Sequence, residues 1–212
     1  MMGRRVFLLA LASLAALAAW APQASADSPG ATTPKFYVVE IANFGCPHCR
    51  DMQSYQSLIA SQIQALGGEF DFAPVVWDSQ PPARDWAYYA ARNQGAAVAQ
   101  AVEQAMFSAV QDSQLPLENL GQVMAWLQQT VPATADIDYS RLLQDASSTA
   151  AQDAETRAEE LAMKVNVTVT PTYVMVQNGG VAGAWFLSQS GETPAQLASS
   201  VVSGVQGVLS KH

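Results

Sequence analysis

Only two cysteines and two histidines occur in the 212 residues. Zinc wants about four ligands, typically two Cys-x-x-Cys pairs or two cysteines with two histidines. Here Cys46, His48 and Cys49 stand together, but the other histidine is His212, the last residue, so no zinc set assembles from sequence. Two cysteines alone suit Cu(I), which favours soft thiolates, and that reading stays open as an alternative. Arg50, not His, follows Cys49, which excludes c-type haem attachment. Positive charge is scarce too, with 10 Lys+Arg against 18 Asp+Glu and a formal net charge of −8. A chain that acidic is a poor partner for nucleic acid or anionic lipid. After the N-terminal stretch, no apolar run reaches the roughly 20 residues that a membrane span needs.

The N-terminus is a different kind of segment. Arg4 and Arg5 precede an apolar run from Val6 to Trp20, and small residues end at Ala24-Ser25-Ala26. This is the pattern of a secretory signal peptide over 1–26, with cleavage expected after Ala26 and the mature protein expected to be soluble in a bacterial periplasm. The Arg pair also resembles a twin-arginine export signal, a lesser alternative. Removal of 26 residues from 212 leaves 186, enough for one domain carrying a large insertion. The leader holds two arginines and no acid, so the remainder carries 8 Lys+Arg against 18 Asp+Glu. Half of all residues are apolar, which is ample for a core.

Residues 35–44, KFYVVEIANF, are rich in β-branched and aromatic side chains and predict a strand. From Pro47, apolar residues recur at Met52, Tyr55, Ile59, Ile63 and Leu66, the period of an amphipathic helix, and Gly67-Gly68 supplies its stop. Residues 69–77 predict a second strand, completing a βαβ unit. Ala and Gln then dominate up to about Met163, and helices are expected near 84–94, 96–111, 117–130 and 138–163. Two apolar runs around Asn178-Gly179-Gly180 predict a hairpin within 169–187, because a type I′ turn needs positive φ. A last helix is expected from Thr193, with Thr193 as N-cap and Pro194 in the first turn. The fold class is α/β.

Chemistry concentrates at Cys46-Pro47-His48-Cys49. In an exported chain cysteines usually cross-link, but a bridge between Cys46 and Cys49 closes too short a loop to staple much. Its use is therefore chemical. Cys46 is expected at a helix N-terminus, where unpaired N–H groups and the helix dipole favour a thiolate. Cys49 lies almost one turn along on the same face. Pro47 is tolerated at the first helical position, and His48 offers charge or a donor near the sulfur. A stabilised thiolate leaves readily, which makes the disulfide oxidising.

This motif after the first strand, the helical insert, and Thr170-Pro171 before the second hairpin resemble the DsbA-like thiol:disulfide interchange proteins of the thioredoxin superfamily. Pro-His between the cysteines is the dipeptide of that branch, whereas thioredoxins carry Gly-Pro. The resemblance spans essentially the whole chain after the leader. It implies a thioredoxin fold (βαβ…ββα), discontinuous over 27–80 and 163–212, with an all-helical insertion over 81–162. It implies an exported dithiol oxidase acting on cysteine-containing unfolded or folding proteins and recharged by a membrane partner of the DsbB kind. No organic cofactor and no metal are expected, since the Cys46–Cys49 disulfide carries the electrons.

The same resemblance implies a cis Pro171 beside the cysteines, with the Thr170 backbone pairing with an extended substrate. Threonine before that proline resembles the disulfide isomerases and some other DsbA-like oxidases, so an isomerase or reductase is the redox alternative. Dimeric isomerases carry a separate N-terminal domain, which the eight residues Asp27 to Pro34 cannot supply, and a monomer is expected. Glu40, six residues before Cys46, matches a glutamate that the family buries and pairs with a lysine on the next strand. This chain's second strand has no lysine. Glu40 is then either solvated or a buried carboxyl that relays protons to Cys49.

Overall fold

The computed structural model describes residues 33–77, 80–186 and 192–211. The expected leader over 1–26 and His212 lie outside them. Four strands form one sheet in the order β2-β1-β3-β4: β1 (Tyr37–Ala42), β2 (Glu69–Pro74), β3 (Thr172–Gln177) and β4 (Gly180–Phe186). β1 runs parallel to β2 and antiparallel to β3, and β3 pairs antiparallel with β4.

Helix α1 (Pro47–Ala65) crosses from β1 to β2. Its buried stripe, Cys49, Met52, Ile59 and Ile63, follows the predicted period, and each fully buried large apolar side chain stabilises by roughly 1.5–3 kcal/mol. Gly67 at φ +84° ends it, while the Gly68 N–H returns to the Ile63 carbonyl at 3.0 Å. The β3–β4 turn has Asn178 and Gly179 both at positive φ, as a type I′ hairpin requires. Helix α7 (Pro194–Leu209) opens with a reciprocal capping box between Thr193 and Gln196.

Alternation along the strands divides the core. Val38, Tyr173 and Met175 pack with Met52, Ile59 and Ile63 of α1 and with Leu197, Val201 and Val205 of α7. Val39, Ile41, Val174 and Val176 face the other way, into a larger core shared with the helices between β2 and β3. Those helices are α2 (Ala83–Arg92), α3 (Ala96–Phe107), α4 (Leu120–Thr130), α5 (Tyr139–Ala146) and α6 (Thr149–Lys164).

The helix expected over 138–163 is two helices, α5 and α6. The adjacent serines mark the break: Ser147 Oγ donates to the Leu143 carbonyl and Ser148 Oγ to the Asp145 carbonyl, and Ser148 takes the extended N-cap position of α6 without a side-chain cap bond. The helix expected over 96–111 changes character at Ser108, where a π-helical turn (Ser108–Asp112) extends α3. Phe44, two residues before Cys46, stacks edge-on against Phe107 with ring centres 5.1 Å apart. That contact fixes the cysteine loop against the helical insertion.

Candidate active site

Cys46 is the N-cap of α1, with extended backbone (φ −86°, ψ 115°) and Pro47 next to it. Its Sγ accepts from the Cys49 N–H at 3.4 Å and lies 3.2 Å from the Thr170 carbonyl. Both cysteines are free, so the geometry is that of the dithiol. Cys46 is half-buried, whereas Cys49 is wholly buried.

The two thiols are therefore driven apart. Cys46 is lowered to about 6, first by a hydrogen bond from the Cys49 side chain, then by the Thr170 side chain and the backbone N–H groups of Cys49 and His48, against an opposing desolvation. The Thr170 carbonyl acts oppositely, since it can be satisfied only by S–H. The donors outnumber it, and the thiolate prevails. Burial pushes Cys49 well above the ordinary thiol value, and the charges of Cys46 and Glu40 add to that.

His48 and Pro47 are exposed. The His48 imidazole turns to Asp51, with Nδ1 3.9 Å from Oδ2, and it is the backbone N–H of His48 that acts on the sulfur. The Thr170–Pro171 bond is cis, Pro171 is buried and Thr170 is half-buried. Glu40 is fully buried on β1, opposite Tyr173 in the sheet register. Burial raises its carboxyl well above the ordinary range, and the charge of Glu103 raises it further. Where the resemblance implies a lysine stands an amide: Gln56 Nε2 donates to Glu40 Oε2 at 3.3 Å. Tyr173 also bears on the carboxyl, but its hydroxyl and Glu40 Oε1 are both buried without meeting hydrogen-bond geometry.

Sequence reasoning passed over several residues that build the site. Asn43 is buried. Its Nδ2 donates to the Val75 carbonyl and to Gln80, its Oδ1 accepts from the Gly45 N–H at 2.8 Å, and its carbonyl accepts from the Cys46 N–H at 2.9 Å. An Asn-x-Gly next to the cysteine was the available signal. Gln111, in the π-helical turn, donates to the carbonyls of Phe44 and Cys46 at 3.0 Å each. Beside it, Arg50 forms a two-pronged pair with Asp112. π-Helical turns recur at functional sites, and here the turn carries the insertion's contacts to the cysteine loop. Nothing local in the sequence marks Gln111.

Among the described residues, no three His, Cys, Asp or Glu side chains gather as a metal-binding group, and no helix is long and apolar enough to cross a membrane.

No family model and no curated protein matches the sequence. Solved structures do. The chain is similar to Pseudomonas aeruginosa DsbA, with 23% identity, a TM-score of 0.63, and coverage of 88% of this chain and 92% of that one. It is similar to the oxidoreductase NmDsbA1 of Neisseria meningitidis at 22% identity and TM-score 0.60, covering 85% and 88%. It is also similar to a Proteus mirabilis DsbA variant in complex with the non-covalently bound peptide PWATCDS, at 17% identity and TM-score 0.58, covering 86% and 93%. The chain therefore has the DsbA fold, a thioredoxin fold interrupted by a helical insertion.

Proposed function

We propose that this protein is a thiol:disulfide oxidoreductase working as a dithiol oxidase on exported proteins. The observation that carries the reading is the asymmetry of the two sulfurs: Cys46 half-exposed with its thiol lowered to about 6, Cys49 buried with its thiol raised. A stabilised Cys46 thiolate is a good leaving group, so the disulfide gives up its bond readily.

In the forward reaction a substrate thiolate attacks Cys46 Sγ. The S–S electron pair moves to Cys49, which takes a proton. The substrate's second thiolate then attacks the substrate sulfur of the mixed disulfide and expels Cys46 as thiolate. The substrate loses two electrons and leaves with a disulfide, and the enzyme gains them as a dithiol. The Thr170 backbone, beside Cys46, serves as the edge with which an extended substrate segment pairs. The Proteus mirabilis neighbour binds a cysteine-containing peptide, which supports substrates of that kind. The enzyme disulfide is the only redox carrier in this reading, a DsbB-type membrane protein restores it, and the enzyme acts as a monomer. Export to the periplasm after removal of residues 1–26 completes the account, supported by the leader's sequence pattern.

Thr170 favours a second reading as an isomerase or reductase. The experiment mixes the oxidised protein with a reduced, unfolded two-cysteine substrate and follows free thiols by mass tagging. The oxidase reading expects one substrate disulfide per enzyme disulfide consumed, and a trapped substrate–Cys46 mixed disulfide when Cys49→Ala is first loaded as the Cys46–glutathione disulfide, glutathione leaving as the substrate thiolate attacks Cys46. No transfer, with copper retained after purification under reducing conditions, would favour the copper-binding alternative. Mass spectrometry of the periplasmic fraction should find a chain beginning at Asp27.

A further inference from the structure

Glu40 of β1 and Glu103 of α3 are joined by one side chain. Gln56 Nε2 donates to Glu40 Oε2 at 3.3 Å and to Glu103 Oε1 at 2.8 Å, and Gln53 Nε2 adds a bond to Glu103 Oε1 at 3.2 Å. Because both acceptors share one nitrogen, the two carboxyls face each other across the gap held by a single amide. Glu40 is fully buried and its Oε1 has no hydrogen-bond partner. Glu103 is 3% exposed, yet it lines a surface cavity of about 420 Å³ between α1, β2, α2 and α3.

The groups facing this pair are Glu69 and Asp71 of β2, Tyr88 and Arg92 of α2, Tyr173 of β3, and the cysteines at the start of α1. Arg92 is the cation of that cavity wall, and it pairs with Asp71 at 3.1 Å. Two buried carboxyls sharing amides rather than a cation resist double ionisation. Burial draws Glu103 up to about 7, and its charge in turn raises Glu40.

We propose that Glu103 is the solvent-side member of a two-carboxyl relay that carries protons between water and Cys49 by way of Glu40. The inference rests on the oxidoreductase reading. When a substrate thiolate attacks Cys46, Cys49 departs as a buried thiolate. The Glu40 carboxylic acid transfers its proton to Cys49 Sγ and becomes a carboxylate, accepting from the Gln56 amide. Water in the cavity protonates Glu103, and that proton passes across the gap to restore Glu40. On reoxidation the proton leaves by the same route. Glu103 does not touch the reacting sulfurs. It is a positioning residue whose charge keeps the proton on Glu40.

The test measures the rate at which dithiothreitol reduces the Cys46–Cys49 disulfide from pH 5 to 9 in wild type, E40Q, E103Q, E40Q/E103Q and Gln56→Leu. E40Q is expected to slow exchange on the order of 10²-fold, as loss of a general acid does. E103Q should slow it roughly tenfold at pH 7, with the deficit widening as pH rises, since loss of the Glu103 charge lowers the proton affinity of Glu40. The double variant should be no slower than E40Q alone. Gln56→Leu keeps both carboxyls and removes the amide that favours their ionised forms, so its profile should shift to higher pH, opposite to E103Q, and the answer survives if E103Q folds poorly. An E103Q profile parallel to wild type across the range, or a double variant slowed by the product of the single effects, would overturn the proposal. A wild-type disulfide inert to dithiothreitol would instead count against the oxidoreductase reading itself.

Discussion

Replacing Cys49 with alanine isolates the strongest influence on Cys46. The hydrogen bond from the Cys49 side chain is the largest of the effects that hold Cys46 at about 6. A hydrogen bond to a charged group contributes about 1.5–3 kcal/mol, which corresponds to a rise of ~1–2 pKa units. The variant thiol should then titrate near ~7.5.

Less thiolate lowers reactivity, but a more basic thiolate is a better nucleophile, with a Brønsted slope of about 0.4–0.5. Over 1.5 units that intrinsic gain is roughly fivefold. At pH 5 the ionised fraction falls by about 30-fold, leaving a net loss of ~6-fold in alkylation rate. At pH 9 both proteins are ionised, and the variant should react ~5-fold faster. The profiles therefore cross near neutrality, where a single measurement would find almost no difference. The assay is the iodoacetamide rate of the reduced protein across pH, read beside thiolate absorbance. Cys49→Ser keeps a donor and should stay close to wild type. Profiles for Cys49→Ala and wild type that overlay from pH 5 to 9 would refute the reasoning.

Other predictions concern the supports of the site. Gln111→Ala strips the side-chain donor from the Phe44 and Cys46 carbonyls, costing about 2 kcal/mol and lowering Tm by roughly 4–8 °C in calorimetry. A Tm unchanged from wild type would mean that the π-helical turn does not hold the loop. Gly204→Ala in α7 would ordinarily gain about 1 kcal/mol of helix propensity, but its Cβ would lie 2.0 Å from Trp185 Nε1. Urea denaturation should find the variant less stable, and a more stable protein would show that the indole moves aside freely. In the disulfide form, where Cys46 has no thiol to titrate, stability should depend on Glu103. Its carboxyl is raised to about 7 by burial, so its contribution is fully present below the unfolded value of about 4.3 and is lost as pH climbs through the folded value. That amounts to about 4 kcal/mol between roughly pH 4 and 8, and E103Q should flatten this part of the curve.

Much of this architecture is legible in the sequence because it depends on local rules. Cys46-Pro47 at the end of a β-branched run marks an N-cap and a first helical turn. Asn178-Gly179 marks a positive-φ turn, and Thr193-Pro194 with Gln196 marks a capped helix. The α5–α6 break is a local effect that helical periodicity overran, since the Ser148 N–H and Oγ both turn back to the Asp145 carbonyl. The rest of the site is non-local. Glu103 reaches Gln56 across 47 residues and Gln111 reaches Cys46 across 65. An alanine- and glutamine-rich helix gives no composition signal that one of its glutamines will hold an active-site carbonyl. Glu40 illustrates the same limit: strand alternation allows either face, and it is buried on the side of β1 that α1 and α7 cover.

An enzyme that donates its disulfide to substrates must hold it at an oxidising potential. The equilibrium reduction potential of Cys46–Cys49, measured in glutathione buffers with mass-tagged thiols, decides whether it does. A potential near −120 mV, about that of a strong protein oxidant, is the expected result. A value near −270 mV, about that of thioredoxin, would contradict it and make the protein a reductant.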